Sequence, residues 1–335
     1  MLLAHHMSGK RIVVTGANGH IGNNLVRELL NKGYSVVATV RDSAKGEPLK
    51  EYKNSENLII EVADVLSSES WQQIMQGADG LIHTATVYST TGDAQVILDT
   101  ANIGVENVFR AAAAAGIKRI VHTSSTAAVG STPKGVIKDH TFWHDGVREP
   151  YSRAKTESER LAWSLAEELD LDLRVINPSA ILGGNFFRQT PSVDFFEDAI
   201  QGKYPFSLKI PFPCVHVDDV VNAHIVAFEN DDASGRYILA PHTTYTIADI
   251  MRRIKQLYPQ TKSPKRALPN RLVPLAVFQD WIGGIFGKPR TLTRRVVKGF
   301  FKGDSLYDSS RAENELGLVW KDFDTCIKDT VEAVL

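Results

Sequence analysis

The sequence predicts an α/β protein: an open, doubly wound parallel sheet carrying a smaller, discontinuous lobe. Three observations support this. Short apolar runs alternate with amphipathic ones from Arg11 to Asn177. A glycine triplet, Gly16, Gly19 and Gly22, separates the first apolar run from the first amphipathic one. After Asn177 the rhythm stops, and residues 178–213 hold five of the 14 prolines.

The apolar runs are "RIVVT", "YSVVATV", "NLIIEV", "GLIHTA", "RIVHTS" and "LRVIN". They are rich in Val and Ile and do not alternate in polarity, as expected of parallel strands covered by helices on both faces. Helical patterns lie between them at 21–32, 67–76, 93–115 and 150–169. Right-handed crossovers then give a doubly wound sheet. Further on, "CVHVDDVVNAHIVAFEN" and "GRYIL" read as strand, helix and strand returning to that sheet. The expected division is a dinucleotide-type domain over 10–177, with 214–240 returning to it, and a lobe from 178–213 and 241–335. The cleft between them is the expected site.

Composition narrows the function classes. The 335 residues are 43% hydrophobic and 23% charged, with net charge −1, as in soluble globular proteins. Near-neutrality gives no reason to expect nucleic acid or an anionic membrane as partner. Cys214 and Cys326, the only cysteines, show neither metal-ligand spacing nor a disulfide framework, so a reducing, cytoplasmic location and no metal are expected. No run of 18 apolar residues predicts a membrane span. The start, "MLLAHHMSGK", lacks the pattern of a signal peptide and reads as a leader or vector scar. The expected partner is a small molecule, and the expected state a monomer or homodimer.

The stretch "VVTGANGHIGNNLVRELL" places the glycines between a strand and a helix. In that setting they provide a tight turn, close approach of a pyrophosphate and close helix–strand packing. Gly16, Asn18, Gly19, His20, Ile21 and Gly22 are therefore expected to hold a dinucleotide at the helix N-terminus. The second strand ends "VVATVRD". Arg41, helped by Lys45, suits a 2′-phosphate, which favours NADP(H) over NAD, although Asp42 could serve a ribose. Asp64, after the third strand, could meet an adenine amine or cap the next helix.

In "EPYSRAK" Pro150 suits a first helical position. Down the helix, Ala154, Ser158, Leu161, Ala162, Leu165, Ala166 and Leu169 share an arc roughly 140° wide centred near Tyr151. Arg153, Glu157, Glu159, Arg160, Glu167 and Glu168 fall outside it, whereas Lys155 falls inside. Lys155 either snorkels from the stripe's edge or forms a pair with Tyr151 at a cleft wall.

The motifs "TGANGHIG", "ATVRD", "HTAT", "HTSSTAAVG", "YSRAK", "NPSAILGG" and "VHVDDVVNAH", in this order, resemble the extended short-chain dehydrogenase/reductase family. The resemblance is greatest to the branch of dihydroflavonol reductases, carbonyl reductases and 3β-hydroxysteroid dehydrogenases. It implies Tyr151 as proton donor, Lys155 as its activator and Ser125, with Ser124 as alternative, as the carbonyl-binding hydroxyl. It adds Val65, Thr84, Ala85, Thr86, Tyr151, Lys155, Pro178 and Ile181 to the cofactor contacts, and Tyr88, Gly130, Phe186 and Phe187 to the substrate contacts. An ammonium beside a phenol, whose ordinary pKa is ~10, favours the phenolate and so eases proton release. Gly130 stands where the plant dihydroflavonol reductases carry asparagine. The Trp-Tyr-Cys-Tyr pattern of the cinnamoyl-CoA branch is absent, and "ILGGN" replaces the Tyr-Gly-Pro-Arg of sugar-nucleotide epimerases.

The expected activity is NADPH-dependent reduction of a ketone or aldehyde on an aryl or bulky aliphatic body. The alternatives are a hydroxysteroid dehydrogenase, a nucleotide-sugar epimerase or dehydratase, and a cofactor-binding redox sensor. Phe186, Phe187, Phe195, Phe196, Tyr204, Phe206, Phe212, Trp281 and Phe286 form either the lobe's core or an apolar pocket closed by 186–212. His140 and His144 are either exposed loop residues or substrate contacts. The segment "LVPLAVFQDWIGGIFG" lacks a basic polar face and is expected to line the pocket rather than lie on a membrane.

Overall fold

The Val- and Ile-rich runs become strands β1 (Arg11–Thr15), β2 (Ser35–Val40), β3 (Leu58–Val62), β4 (Gly80–His83), β5 (Arg119–Thr123) and β6 (Asp172–Pro178) in the computed structural model. The described residues are 9–86, 94–131, 133–147, 149–187, 190–285 and 305–335. Three further strands follow, β7 (Ala180–Leu182), β8 (Cys214–His216) and β9 (Gly235–Leu239). The helices are α1 (His20–Asn31), α2 (Trp71–Ile74), α3 (Ala94–Ala114), α4 (Thr126–Val129), α5 (Pro150–Glu168), α6 (Pro191–Gln201), α7 (Val217–Glu229), α8 (Ile247–Leu257), α9 (Val273–Ile285), α10 (Ser310–Leu316) and α11 (Phe323–Glu332).

Seven strands form one parallel sheet in the order β3-β2-β1-β4-β5-β6-β9. Successive residues of β1 serve opposite faces. Ile12 and Val14 pack with Leu25, Leu29, Val220 and Phe228 of α1 and α7, whereas Val13 packs with Val108, Phe109 and Leu165 of α3 and α5. Both faces are buried, which is why the strands carry no polar alternation. Strand order reverses between β1 and β4, and doubly wound sheets bind ligands beyond the strand ends at such a point.

Two segments depart from expectation. Strand β9 joins the sheet beside β6, but β8 pairs with β7 in a separate two-stranded sheet. Strand β7 follows β6 after one residue and offers β8 a parallel edge, through Ala180 to Cys214 and Leu182 to His216. Residues 310–318, expected in the lobe, return to the sheet, because α10 covers β9 and α7. Ala312, Leu316 and Leu318 are buried in the same core as Val14.

The lobe core gathers Leu182, Phe196, Ile200, Cys214, Ile250, Ile254, Phe323 and Cys326. Both cysteines are unpaired and buried, and burial pushes the Cys214 thiol up to about 12. Among the described residues, no helix is long and apolar enough to cross a membrane.

Candidate active site

A cavity of about 840 Å³ opens beyond the carboxyl ends of β1, β4 and β5, lined by the glycine turn at one extreme and by Ser125, Tyr151 and Lys155 at another. That volume suits a dinucleotide together with a small substrate's reacting end.

The glycine turn is a cradle that side chains would fill. Gly16 sits at φ +66, and a Cβ there would lie 2.9 Å from the Cα of Ala85. A Cβ on Gly22 would lie 2.2 Å from the carbonyl oxygen of Gly16, closer than the backbone allows without moving. Asn18, Gly19, His20 and Ile21 complete this wall. Thr84 and Ala85 are held against it because both backbone N–H groups donate to Thr15 Oγ1 at 3.1 Å. These residues fit a pyrophosphate, with Val65, Thr86, Pro178 and Ile181 continuing the same cavity.

Arg41 directly follows β2, is exposed and lines the cavity. Asp42 instead accepts from the backbone N–H of Ala44 at 3.1 Å and caps the turn over Ser43–Lys45. That turn carries Lys45 away, so Lys45 does not line the cavity. Asp64 lines it and accepts from the N–H of Leu66 at 2.9 Å. The cap of α2 is Ser70, so Asp64 does not cap that helix.

Helix α5 begins where Glu149 accepts from the N–H groups of Tyr151 and Ser152, at 3.1 and 2.7 Å, ahead of Pro150. One turn in, Lys155 is 5% exposed and its Nζ donates to the Thr123 carbonyl at 3.2 Å. Lys155 therefore does not snorkel. Burial pushes its pKa down to about 8, and the Glu159 carboxylate works against that shift.

The two serines separate by their partners. Ser124 Oγ donates to Glu159 Oε2 at 2.5 Å, so its proton is committed. Ser125 Oγ accepts from the Ala127 N–H at 3.1 Å as the cap of α4, and its own proton is not used in that bond.

Glu159 is the residue that sequence reasoning placed on the wrong side. It is 0% exposed and also accepts from Asn177 Nδ2 at 2.8 Å and Arg236 Nε at 2.5 Å. Arg236 in turn donates to the His140 and Phe142 carbonyls, both at 2.7 Å, and lies 3.9 Å over the Trp143 ring. This clamp fixes the loop that brings His144 into the cavity wall. His144 Nδ1 lies 3.0 Å from the Ala127 carbonyl, which can only accept, so Nδ1 is the donor in that bond. The imidazole occupies the space beside Gly130, where a Cβ would come within 2.7 Å of it. Tyr307, also unforeseen, lines the cavity and donates to the Gly130 carbonyl at 3.0 Å. Two signals were available for the clamp: Arg236 interrupts the apolar run "GRYIL", and Glu159 follows Lys155 by one helical turn.

The lobe aromatics do not form the expected pocket. Phe186 meets His20 edge-on at 5.6 Å, and Phe187 stacks on Tyr52 at 6.1 Å. Neither lines the cavity, and Asn185 beside them is held by Asn24 and Tyr52. Phe195, Phe196 and Phe212 build the lobe core. From 186–212 only Thr190, Pro191 and Ser192 reach the cavity among the described residues. None of the described residues of helix α9 lines it. Tyr88 and Phe286 lie outside the described residues.

Comparison with known proteins agrees with this architecture. Cinnamoyl-CoA reductase 1 of Petunia hybrida is 34% identical over 273 residues, covering 78% of this chain and 81% of the relative. Anthocyanidin reductase of Vitis vinifera is 31% identical over 292 residues, covering 79% and 86%. The crystal structure of the yeast methylglyoxal/isovaleraldehyde reductase Gre2, complexed with NADPH, superposes with a TM-score of 0.78 over 97% of this chain and 98% of that one. At 22% identity that likeness speaks to the fold. The model of the NAD dependent epimerase/dehydratase family matches residues 12–240, and the chain belongs to that family, in its extended short-chain dehydrogenase/reductase branch.

Proposed function

We propose that this protein is an NADPH-dependent reductase of ketones or aldehydes, with Tyr151 as the proton donor. The observation that carries the reading is the buried Lys155 one turn from Tyr151, in a cavity wall shared with Ser125. NADPH, when bound, supplies the hydride. Ser125 uses its uncommitted proton to hydrogen-bond the carbonyl oxygen as negative charge develops there. Tyr151 delivers the proton that completes the alcohol. Lys155 stabilises the phenolate left behind, and the Glu159 carboxylate favours the ammonium form this requires. Arg41 meets the 2′-phosphate at the cavity's other end. Relatives named as reductases support reduction as the direction of chemistry.

For the substrate, we read a carbonyl on a largely apolar body bearing a hydroxyl. Ala180, Ile181 and Pro191 offer apolar contact, and His144, whose Nδ1 faces the Ala127 carbonyl, turns Nε2 to a substrate hydroxyl as hydrogen-bond partner. The test is NADPH consumption across paired carbonyl compounds with and without a nearby hydroxyl. Faster turnover of the hydroxylated members, lost in His144→Phe, is expected. Tightly bound stoichiometric NAD with no NADPH consumption on any carbonyl would overturn the reductase reading in favour of an epimerase or dehydratase.

A further inference from the structure

Helix α9 carries apolar residues on two opposite sides, yet only one of them is covered. Val273, Ala276 and Val277 are buried, and the two valines pack on Leu208 and Ile210. On the opposite side Leu275, Phe278, Trp281, Ile282 and Ile285 are 55, 52, 48, 36 and 62% exposed. These five fall within roughly 120° of helical arc. With Leu272 they make up six of the seventeen exposed large apolar residues among those described, so they form a patch rather than normal scatter.

The charge along the sequence in this part of the chain is segregated. From Ile250 to Gly303 the chain holds thirteen Lys and Arg against one acid, Asp280, leaving 25 basic and 38 acidic residues elsewhere. Overall neutrality hides this. In the segment leading into α9, Lys262, Lys265, Arg266 and Arg271 are exposed, and no ion pair joins them to a carboxylate among the described residues.

We propose that α9 docks on an anionic lipid surface, its outward apolar face entering the interface and the flanking cations meeting the headgroups. An apolar face beside unpaired cations has the composition of a helix that lies in a membrane interface. A second copy of the chain fits less well. A two-fold interface sets the same patch against itself, bringing the cations of both copies together. Nucleic acid would satisfy the cations but leave Leu275, Ile282 and Ile285 without apolar partners. The helix lies on the surface and does not cross it.

The test uses the full chain and sedimentation with vesicles of phosphatidylcholine, with and without about 30% phosphatidylglycerol. Binding to the anionic vesicles, at least about tenfold tighter than to neutral ones and weakened by salt, is expected. Phe278→Asp with Trp281→Asp abolishes binding while carbonyl turnover and the unfolding midpoint stay unchanged. Lys265→Glu, Arg266→Glu and Arg271→Glu together weaken it on the order of a hundredfold. Absence of anionic-vesicle binding overturns the proposal. So does a dimer in solution that the Phe278→Asp, Trp281→Asp variant splits, or capture of an oligonucleotide in preference to vesicles.

Discussion

The two ends of the cavity are built in different ways. At the glycine end, consecutive backbone atoms from 16 to 22 form the cradle, and the constraint is steric: a Cβ on Gly22 has nowhere to go. At the Tyr151 end, the wall comes from segments far apart in the chain, around residues 124, 144, 155 and 307. Three of these are tied together through side chains that never reach the cavity. Glu159 links Ser124, Asn177 and Arg236, and Arg236 links the loop carrying His144. A cradle made of backbone tolerates changes around it and fails at one atom. A wall made of a buried polar network fails wherever the network is cut.

That contrast ranks the expected effects. Glu159→Ala leaves the Arg236 guanidinium buried without its carboxylate, which costs about 3–5 kcal/mol. Urea unfolding measures it, and a loss below about 1 kcal/mol would mean that the clamp does not hold this wall. Gly22→Ala acts at the other end with the opposite profile. We expect NADPH affinity to fall on the order of a hundredfold by calorimetry while the fold survives, a local backbone shift being the main cost. If stability drops as much as for Glu159→Ala, the two ends are not distinct in the way argued here.

Lys155, at the Tyr151 end, gives a pH test. Its folded pKa, about 8, lies below its ordinary value of 10.5. The buried ammonium therefore costs stability fully below about pH 8, and that cost is relieved as pH rises toward 10.5. Lys155→Met is expected to stabilise the protein at pH 7 by up to about 3 kcal/mol, with the gain gone by about pH 10.5. If turnover needs the ammonium, as proposed above, kcat/KM at saturating NADPH falls as pH rises through about 8. Glu159→Gln moves that limb to lower pH. His83 and His122, packed nearby, are held low by burial and stay neutral through this range. A limb that does not move in Glu159→Gln would separate Glu159 from Lys155.

Arg41→Ala is the smallest of these effects. NADPH is expected to bind about tenfold or more weakly, with NADH changed by less than about twofold. Equal losses would show that Arg41 serves something other than a 2′-phosphate.

Legibility in the sequence follows the same division. The strands from Arg11 to Asn177 and helix 150–168 were readable, because each is a local pattern: a short Val- and Ile-rich run for a strand, a period of 3.6 for the helix. The glycine cradle was readable because its residues are adjacent. Glu159 was not. It lies roughly 80° from Tyr151 on the helix, outside the apolar arc, and only the distant Arg236 makes its burial possible. The lobe aromatics misled for a related reason: Phe195 and Phe196 fill a core as readily as a pocket, and composition does not say which. The uncovered face of α9 was hidden in another way, by a net charge that averages a basic region with an acidic remainder.

The most direct test of the account is Tyr151→Phe, assayed for both turnover and NADPH binding. Phenylalanine keeps the ring and removes only the hydroxyl. The account predicts that carbonyl reduction falls at least about a thousandfold, while NADPH affinity stays within about threefold, the cradle lying elsewhere. Carbonyl reduction within about tenfold of the parent protein would contradict it, because the proton would then come from another group.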